Sequence, residues 1–342
     1  MTSSTEQDTI GCGTSSGAKP KLLVIELWGM GDLVIATPFL QAASRKYAVT
    51  LVAKPYATDL RRRFWPDVHV VEFVAPWTAF RHKYRLLRWP WHEFGRLQRL
   101  RAERYEIGLS GRWDPRDHLL LLLFRTKRRL GFPRLNSQLF LTEPLARPEP
   151  TSHRYENWRT LARSLGLDLP PRERLPVLPR GEQHRVLVHT GAGQPVRVWP
   201  LERYAQLIAR LRLEGHHVQV ACDPDQRSWW METGESQVVT PRTVAELLLQ
   251  IDHAGVFIGN DSGPCHLAAC CGVPTFTLFG PQLPEWFAPM NPTAEWLEGK
   301  PCPYKPCSDY CRFPIPYCMI RSSEEEVWGR IAPFVARHLV KA

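Results

Sequence analysis

Long apolar runs are missing from this 342-residue chain. The longest, Leu119 to Phe124, falls far short of the ~20 residues that a membrane-spanning helix needs. The opening stretch MTSSTEQDTIGCGTSSGAKP also lacks an apolar core. It is polar and Gly/Ser-rich, which argues against a secretory signal and for a disordered tail over residues 1–20. There is no short-period repeat, no clean CxxC…CxxC pair and no nucleic-acid-binding motif. These absences lead us to expect a cytoplasmic protein whose nine cysteines stay reduced unless they hold a metal. At 44% hydrophobic and 23% charged residues, the composition excludes disordered and fibrous classes. The length suits two domains better than one.

Charge is unevenly spread. The first 150 residues carry 24 Lys/Arg against 14 Asp/Glu, a net +10, and the remainder carries 20 of each. A basic half facing a neutral one implies an anionic partner for the first half.

Apolar patterning gives strand–helix–strand order twice. Leu22–Leu27 suits a buried parallel strand, a helix is expected from Asp32 to Tyr47 with Pro38 as a kink or early-turn residue, and Val49–Ala53 is the next strand. In the second half Arg185–His189, His217–Cys222, Val256–Gly259 and Pro274–Phe279 are expected strands, with Val244–Ala254 and Pro264–Cys271 helical. After Pro200, Tyr204, Leu207, Ile208 and Leu211 share one helix face, and Gly215 is a plausible stop. Ser152–Leu167 is helical, within a proline-rich join. The expected architecture is α/β: two Rossmann-like doubly wound domains, residues 21–170 and 171–342, facing across a cleft with ligands at the strand ends.

Three stretches are suited to chemistry. In Gly259-Asn260-Asp261-Ser262-Gly263-Pro264-Cys265-His266 a strand runs through a tight turn straight into a helix. Free N–H groups and the helix dipole make that an anion site, although Asp261 and Ser262 would look the same if they only capped the helix. In His189-Thr190-Gly191-Ala192-Gly193, followed by Arg197-Val198-Trp199, a glycine loop offers backbone donors and Arg197 a cation for phosphate oxygens. In Trp28-Gly29-Met30-Gly31-Asp32 a carboxylate follows a glycine turn. It is either a general base for an acceptor hydroxyl or an N-terminal helix cap.

Taken together, GMGDLVIATPFLQA (29–42), HTGAG (189–193) with RVWPLERYAQLIARL (197–211), and GNDSGPCHLAA (259–269) with GVPTFTLFGP (272–281) resemble the family 9 glycosyltransferases, the ADP-heptose:lipopolysaccharide heptosyltransferase group. Arg129-Leu130-Gly131-Phe132 and His153-Arg154-Tyr155-Glu156-Asn157 fit between them. The resemblance implies a GT-B fold and metal-independent, inverting transfer of a heptose or related sugar from an ADP-sugar to a lipopolysaccharide-core-type acceptor. It implies Asp32 as the base and a donor site of Thr190, Gly191, Ala192, Gly193, Arg197, Trp199, Asp261, Ser262, Gly263, Pro264 and His266. Acceptor contacts are expected from Gly29, Gly31, Arg61, Arg62, Arg63 and Arg112. Glu26 departs from the family, which usually has a basic residue there, and Trp28 is larger than usual. The alternatives are a protein glycosyltransferase and a non-catalytic nucleotide-sugar or anionic-lipid binding module.

Two features lie outside those motifs. Cys302, Cys307, Cys311 and Cys318 pack four thiols into a proline-rich loop, a possible structural Zn or Fe site or simply reduced thiols. A protein-modifying branch that the sequence resembles here uses cysteines to hold iron. Residues 81–104 carry eight Lys/Arg with Tyr84, Trp89, Trp91 and Phe94. This suits peripheral contact with the inner membrane and an anionic glycolipid; the alternative is a solvated helix packing on its own domain. Nucleic acid is not expected as a partner.

Overall fold

The computed structural model describes residues 18–79, 93–307 and 309–339. Residues 1–17 of the expected tail, and Tyr84, Trp89 and Trp91 of the basic stretch, lie outside the described residues.

Two parallel sheets form the frame. The first contains β1 (Lys21–Glu26), β2 (Ala48–Ala53), β3 (His69–Glu72), β4 (Ile107–Ser110), β5 (Arg128–Gly131) and β6 (Glu143–Pro144), in the order 3-2-1-4-5-6. The second contains β7 (Arg185–His189), β8 (His217–Ala221), β9 (Ala254–Asn260), β10 (Thr275–Phe279) and β11 (Glu295–Glu298), in the order 11-10-9-7-8. Val239 makes a parallel bridge to Ala221 beyond β8. It takes the place of a third strand shrunk to a single residue, so both units follow the doubly wound 3-2-1-4-5-6 plan.

Alternation explains why each sheet is covered on both faces. Leu22 and Val24 of β1 enter one apolar cluster, and Leu23 and Ile25 enter another on the opposite face. In the second sheet Val186 and Val188 pack with the last helix, Glu324–His338, whereas Leu187 and Phe257 join the cluster begun by the first sheet. One continuous core therefore runs from the first unit into the second. The helix Tyr155–Ser164 contributes Tyr155, Trp158, Leu161 and Ala162 to it.

The helix expected from Asp32 to Tyr47 is two helices, Met30–Ile35 and Thr37–Lys46, meeting at Ala36. Pro38 sits in the first turn of the second, where its missing N–H costs nothing. The helix Leu201–Leu213 buries Tyr204, Leu207, Ile208 and Leu211, the face expected from the sequence. Among the described residues no helix is long and apolar enough to cross a membrane.

The last helix is a sensitive point of the second unit, because Phe334 is fully buried and meets Phe276 edge-on at 5.4 Å. Phe334→Ala is expected to cost about 3–5 kcal/mol, read as a lower urea midpoint for the unfolding of that unit. An unchanged midpoint would contradict this packing.

Candidate active site

On the first unit, β1 ends in a turn that starts the helix Met30–Ile35. Asp32 divides its carboxylate between two jobs: Oδ2 accepts the Gly29 N–H at 3.2 Å, and Oδ1 accepts Arg112 Nη1 at 2.6 Å. Oδ2 thus meets the cap reading, and Oδ1 is the ion-pair partner of Arg112. Arg112 follows β4, which pairs directly with β1. Its backbone N–H is held by Ser110 Oγ at 3.2 Å, and its guanidinium lies 4.7 Å from the centre of the Trp28 ring. Beneath it Glu26 is buried, its Oε1 accepting the Trp28 N–H at 3.2 Å. Burial, then the nearby Asp32 charge, push the Glu26 carboxyl up to about 8. Burial also lowers the Lys54 ammonium, against the pull of Asp32 and Glu26. A basic residue is absent from position 26, but Arg112 and Lys54 bring cations to the same spot from neighbouring strands.

On the second unit, the loops after β7 and β9 are tied together by a fully buried side chain. Asn260 donates from Nδ2 to the Thr190 carbonyl at 2.9 Å and accepts at Oδ1 from the Trp199 N–H at 3.0 Å and the Tyr204 hydroxyl at 2.9 Å. Next to it Asp261 is buried, and its carboxyl is pushed up to about 6 by burial, against the pull of Arg197. Neither Asp261 nor Ser262 caps the helix Gly263–Cys270. Ser262 Oγ donates to the Asn260 carbonyl, and Asp261 Oδ2 accepts Arg197 Nη1 at 3.2 Å. The capping alternative for this turn is therefore set aside, and the helix start faces the site without a side-chain cap. Arg197 also forks onto Asp309, with both bonds at 2.7 Å. These two carboxylates hold the guanidinium above its ordinary range, outweighing burial.

The units meet where two helices start. A Cβ on Gly31 would come 2.7 Å from His266 Cδ2, and one on Gly263 would come 2.5 Å from Met30 Cε and 3.0 Å from Met30 Cβ. Only glycine allows the helices Met30–Ile35 and Gly263–Cys270 to approach this closely. The contact buries His266 beside Asp32 and Arg197; burial pushes its imidazole down to about 4, with Asp32 opposing, so it is neutral at pH 7. A second junction stacks the Arg154 guanidinium 4.2 Å from the Trp113 ring centre and 4.8 Å from that of Trp286. His153 Nε2 lies 2.9 Å from the Ala288 carbonyl oxygen.

Asp32, Arg112, Arg197, Asp261, Ser262, Gly263 and His266 are thus gathered at the junction of the units, with Gly29 and Gly31 at the turn beneath Asp32. Pro264 occupies the first turn of its helix, and Ala192 and Gly193 continue the loop after β7. Other expected site residues lie away from Asp32, in the core or on the surface. Thr190 is fully buried, its hydroxyl donating to Gln226 Oε1 at 2.9 Å and accepting from Trp230 Nε1 at 3.2 Å. Trp199 is a core residue whose Nε1 donates to the Ser322 carbonyl at 2.9 Å. Arg61 donates to the Pro66 carbonyl, Arg62 is exposed near Asp59, and Arg63 crosses the unit junction in a two-bond pair with Asp252 at 2.7 and 2.8 Å. None of the three arginines is paired with Asp32. Cys302, Cys307, Cys311 and Cys318 line one small cavity with Lys305 and Tyr304. Among the described residues no group of three or more His, Cys, Asp or Glu is disposed to hold a metal ion. Cys222, Cys265 and Cys271 are buried and Cys270 half-buried, as expected of small apolar side chains.

Three contributors escaped the sequence reading. Asn260 lies inside a motif that was noted, but its role depends on which loops it bridges. Asp309 is brought from a distant loop. Asp223 follows β8 and lies so close over Gly191 that a Cβ there would come 2.3 Å from its carboxyl carbon. Its place after the second strand of a doubly wound unit was the available signal.

Comparison with known proteins finds relatives in both sequence and fold. Residues 95–313 match the family described as glycosyltransferase family 9 (heptosyltransferase). Lipopolysaccharide heptosyltransferase 3 of Escherichia coli (strain K12) is 32% identical over 108 residues, which are 29% of this chain and 31% of that protein. The chain thus spans about a third of the length of the curated relatives it matches. The fold matches far more extensively. A glycosyl transferase family 9 structure from Veillonella parvula DSM 2008 superposes with a TM-score of 0.74 at 18% identity, covering 94% of this chain and 99% of that one. The E. coli heptosyltransferase WaaC with ADP gives 0.68 at 16% identity, covering 92% and 99%.

Glu26 offers a check on the electrostatics. Its carboxyl is raised from the usual 4.5 to about 8, so the fold favours the neutral acid. That contribution to stability is present below about 4.5 and is lost as pH rises through about 8. Glu26→Gln is expected to match the wild-type melting temperature near pH 5 and exceed it at pH 9. Parallel curves would contradict a buried, protonated Glu26.

Proposed function

The chain belongs to glycosyltransferase family 9, and we propose that it transfers a heptose from ADP-heptose to a hydroxyl of a lipopolysaccharide-core-type acceptor, with inversion and without a metal ion. The observation that carries this reading is the juxtaposition at the glycine-packed junction. A partly exposed carboxylate, Asp32, sits on one unit, and a guanidinium beside an uncapped helix start sits on the other. The first unit, residues 21–170, would receive the acceptor, and residues 171–342 would hold the donor.

In the proposed reaction Asp32 accepts the proton of the acceptor hydroxyl as its oxygen attacks the anomeric carbon. The bond from that carbon to the diphosphate oxygen breaks, and ADP leaves with the electron pair. Arg197 and the backbone N–H groups at the start of Gly263–Cys270 face the charge that develops on the leaving diphosphate. Positive charge for the leaving group is thus supplied by the chain itself. Arg112 orients the Asp32 carboxylate. His266, buried and neutral, adds no charge and closes the site beneath the sugar. Asp223, just after β8, would accept hydrogen bonds from the ribose hydroxyls. The E. coli relative of the same fold was solved with ADP, which supports ADP as the nucleotide. The net +10 of residues 1–150 supports an anionic glycolipid acceptor at the cytoplasmic face of the inner membrane.

Asp32→Asn tests the assignment, since its amide oxygen can still accept the Gly29 N–H and preserve the cap. Transfer is expected to fall by about 10²–10⁴-fold, the range for a lost general base, while ADP binds as to wild type in calorimetry. A parallel loss of ADP binding would mark Asp32 as a structural cap and contradict the proposal.

A further inference from the structure

The helix Pro115–Leu123 carries five consecutive leucines, and it cannot bury them all. It turns Leu120 and Leu121 into the core and leaves Leu119, Leu122 and Leu123 exposed. A short loop lies against it, joined by His118 Nδ1 and Ser137 Oγ at 2.9 Å. That loop adds Leu135 and Leu139, 80% and 78% exposed. Leu135 and the following Asn136 both adopt left-handed backbone, with φ of 50° and 61°. That conformation costs an ordinary L-residue about 1–2 kcal/mol, and here it holds a leucine out at a loop tip. Five exposed leucines on neighbouring elements make a patch rather than the scattered apolar residues normal on surfaces.

The rim is cationic. Arg125, Lys127 and Arg134 are exposed on the segments flanking the leucines, and Arg116 joins them as the partner of Asp114. The nearby carboxylates are already taken or buried: Asp114 is paired with Arg116, Glu143 with Arg128, and Asp117 is buried and accepts from Ser110 Oγ. Apolar side chains ringed by arginine and lysine match a bilayer carrying anionic headgroups, where leucines enter the acyl boundary and cations meet phosphates. The patch is also well placed for the reaction. Its helix begins three residues after Arg112, the partner of Asp32, and the Arg116 guanidinium lies 5.3 Å from the Trp77 ring centre and 6.0 Å from that of Trp28.

We infer that the surface formed by Leu119, Leu122, Leu123, Leu135 and Leu139 docks the first unit on an anionic lipid bilayer and brings Asp32 to a membrane-held acceptor. The inference rests on the lipid-acceptor part of the proposed function and deepens it by naming the surface.

Flotation of the full chain with vesicles tests it. Wild type is expected to float with phosphatidylethanolamine–phosphatidylglycerol vesicles and to stay behind with pure phosphatidylcholine. Leu135→Gln/Leu139→Gln keeps the charge and is expected to lower flotation at least ~tenfold, from the loss of two inserted leucines. Leu213→Gln, equally exposed but on the second unit, is expected to float like wild type. ADP affinity in vesicle-free solution, read by calorimetry, should be the same in all three proteins, and its loss from wild type would count against the donor reading instead. The docking inference is overturned if wild type does not float with anionic vesicles, or if the double variant floats as wild type does. It is also overturned if wild type proves to be a dimer that the double variant turns into a monomer, since a second copy would then cover the patch.

Discussion

Two helix starts pressed against each other through glycine are the constraint on which the site depends. Gly31 makes room for the His266 ring, and Gly263 makes room for Met30. This contact sets Asp32 on one unit against Arg197, Asp261 and His266 on the other. The surrounding interactions hold the same relation between units: the Arg63–Asp252 pair, the Arg154 stack between Trp113 and Trp286, and an apolar cluster continuous across both sheets. With close packing of this kind, small displacements are not absorbed smoothly.

Around that contact each unit has committed an arginine to a carboxylate. Arg112 is fixed on Asp32, and Arg197 is shared between Asp261 and Asp309. Charges so arranged are pre-oriented for incoming groups of either sign, which is the electrostatic economy expected where charge must move during reaction. The Asp309 link also ties the cysteine-bearing loop to Arg197, since Asp309 lies between Cys307 and Cys311.

Much of this was legible in the sequence, because parallel strands buried on both faces are short apolar runs and their turns are rich in glycine. Arg185–His189 was bounded correctly from sequence, and the apolar face of Leu201–Leu213 followed from helical spacing. The Asp32 turn and the Gly259–His266 stretch were identified as chemistry for the same reason: strand-to-helix turns expose backbone donors. What escaped depends on three-dimensional partners. Thr190 and Trp199 sit in a binding-type loop yet are consumed by Gln226, Trp230 and Ser322. Asn260 and Asp309 act through groups 50 or more positions away. A run of three arginines gives no hint that one of them, Arg63, is needed to bridge the units.

Gly31→Ala tests the central claim most directly, because the added methyl would land 2.7 Å from buried His266 and push the two helix starts apart. Transfer at saturating donor is then expected to be about 10²-fold below wild type, the cost of a displacement of roughly 1 Å between reacting groups, with both units still folded. A wild-type rate in the folded variant would contradict it.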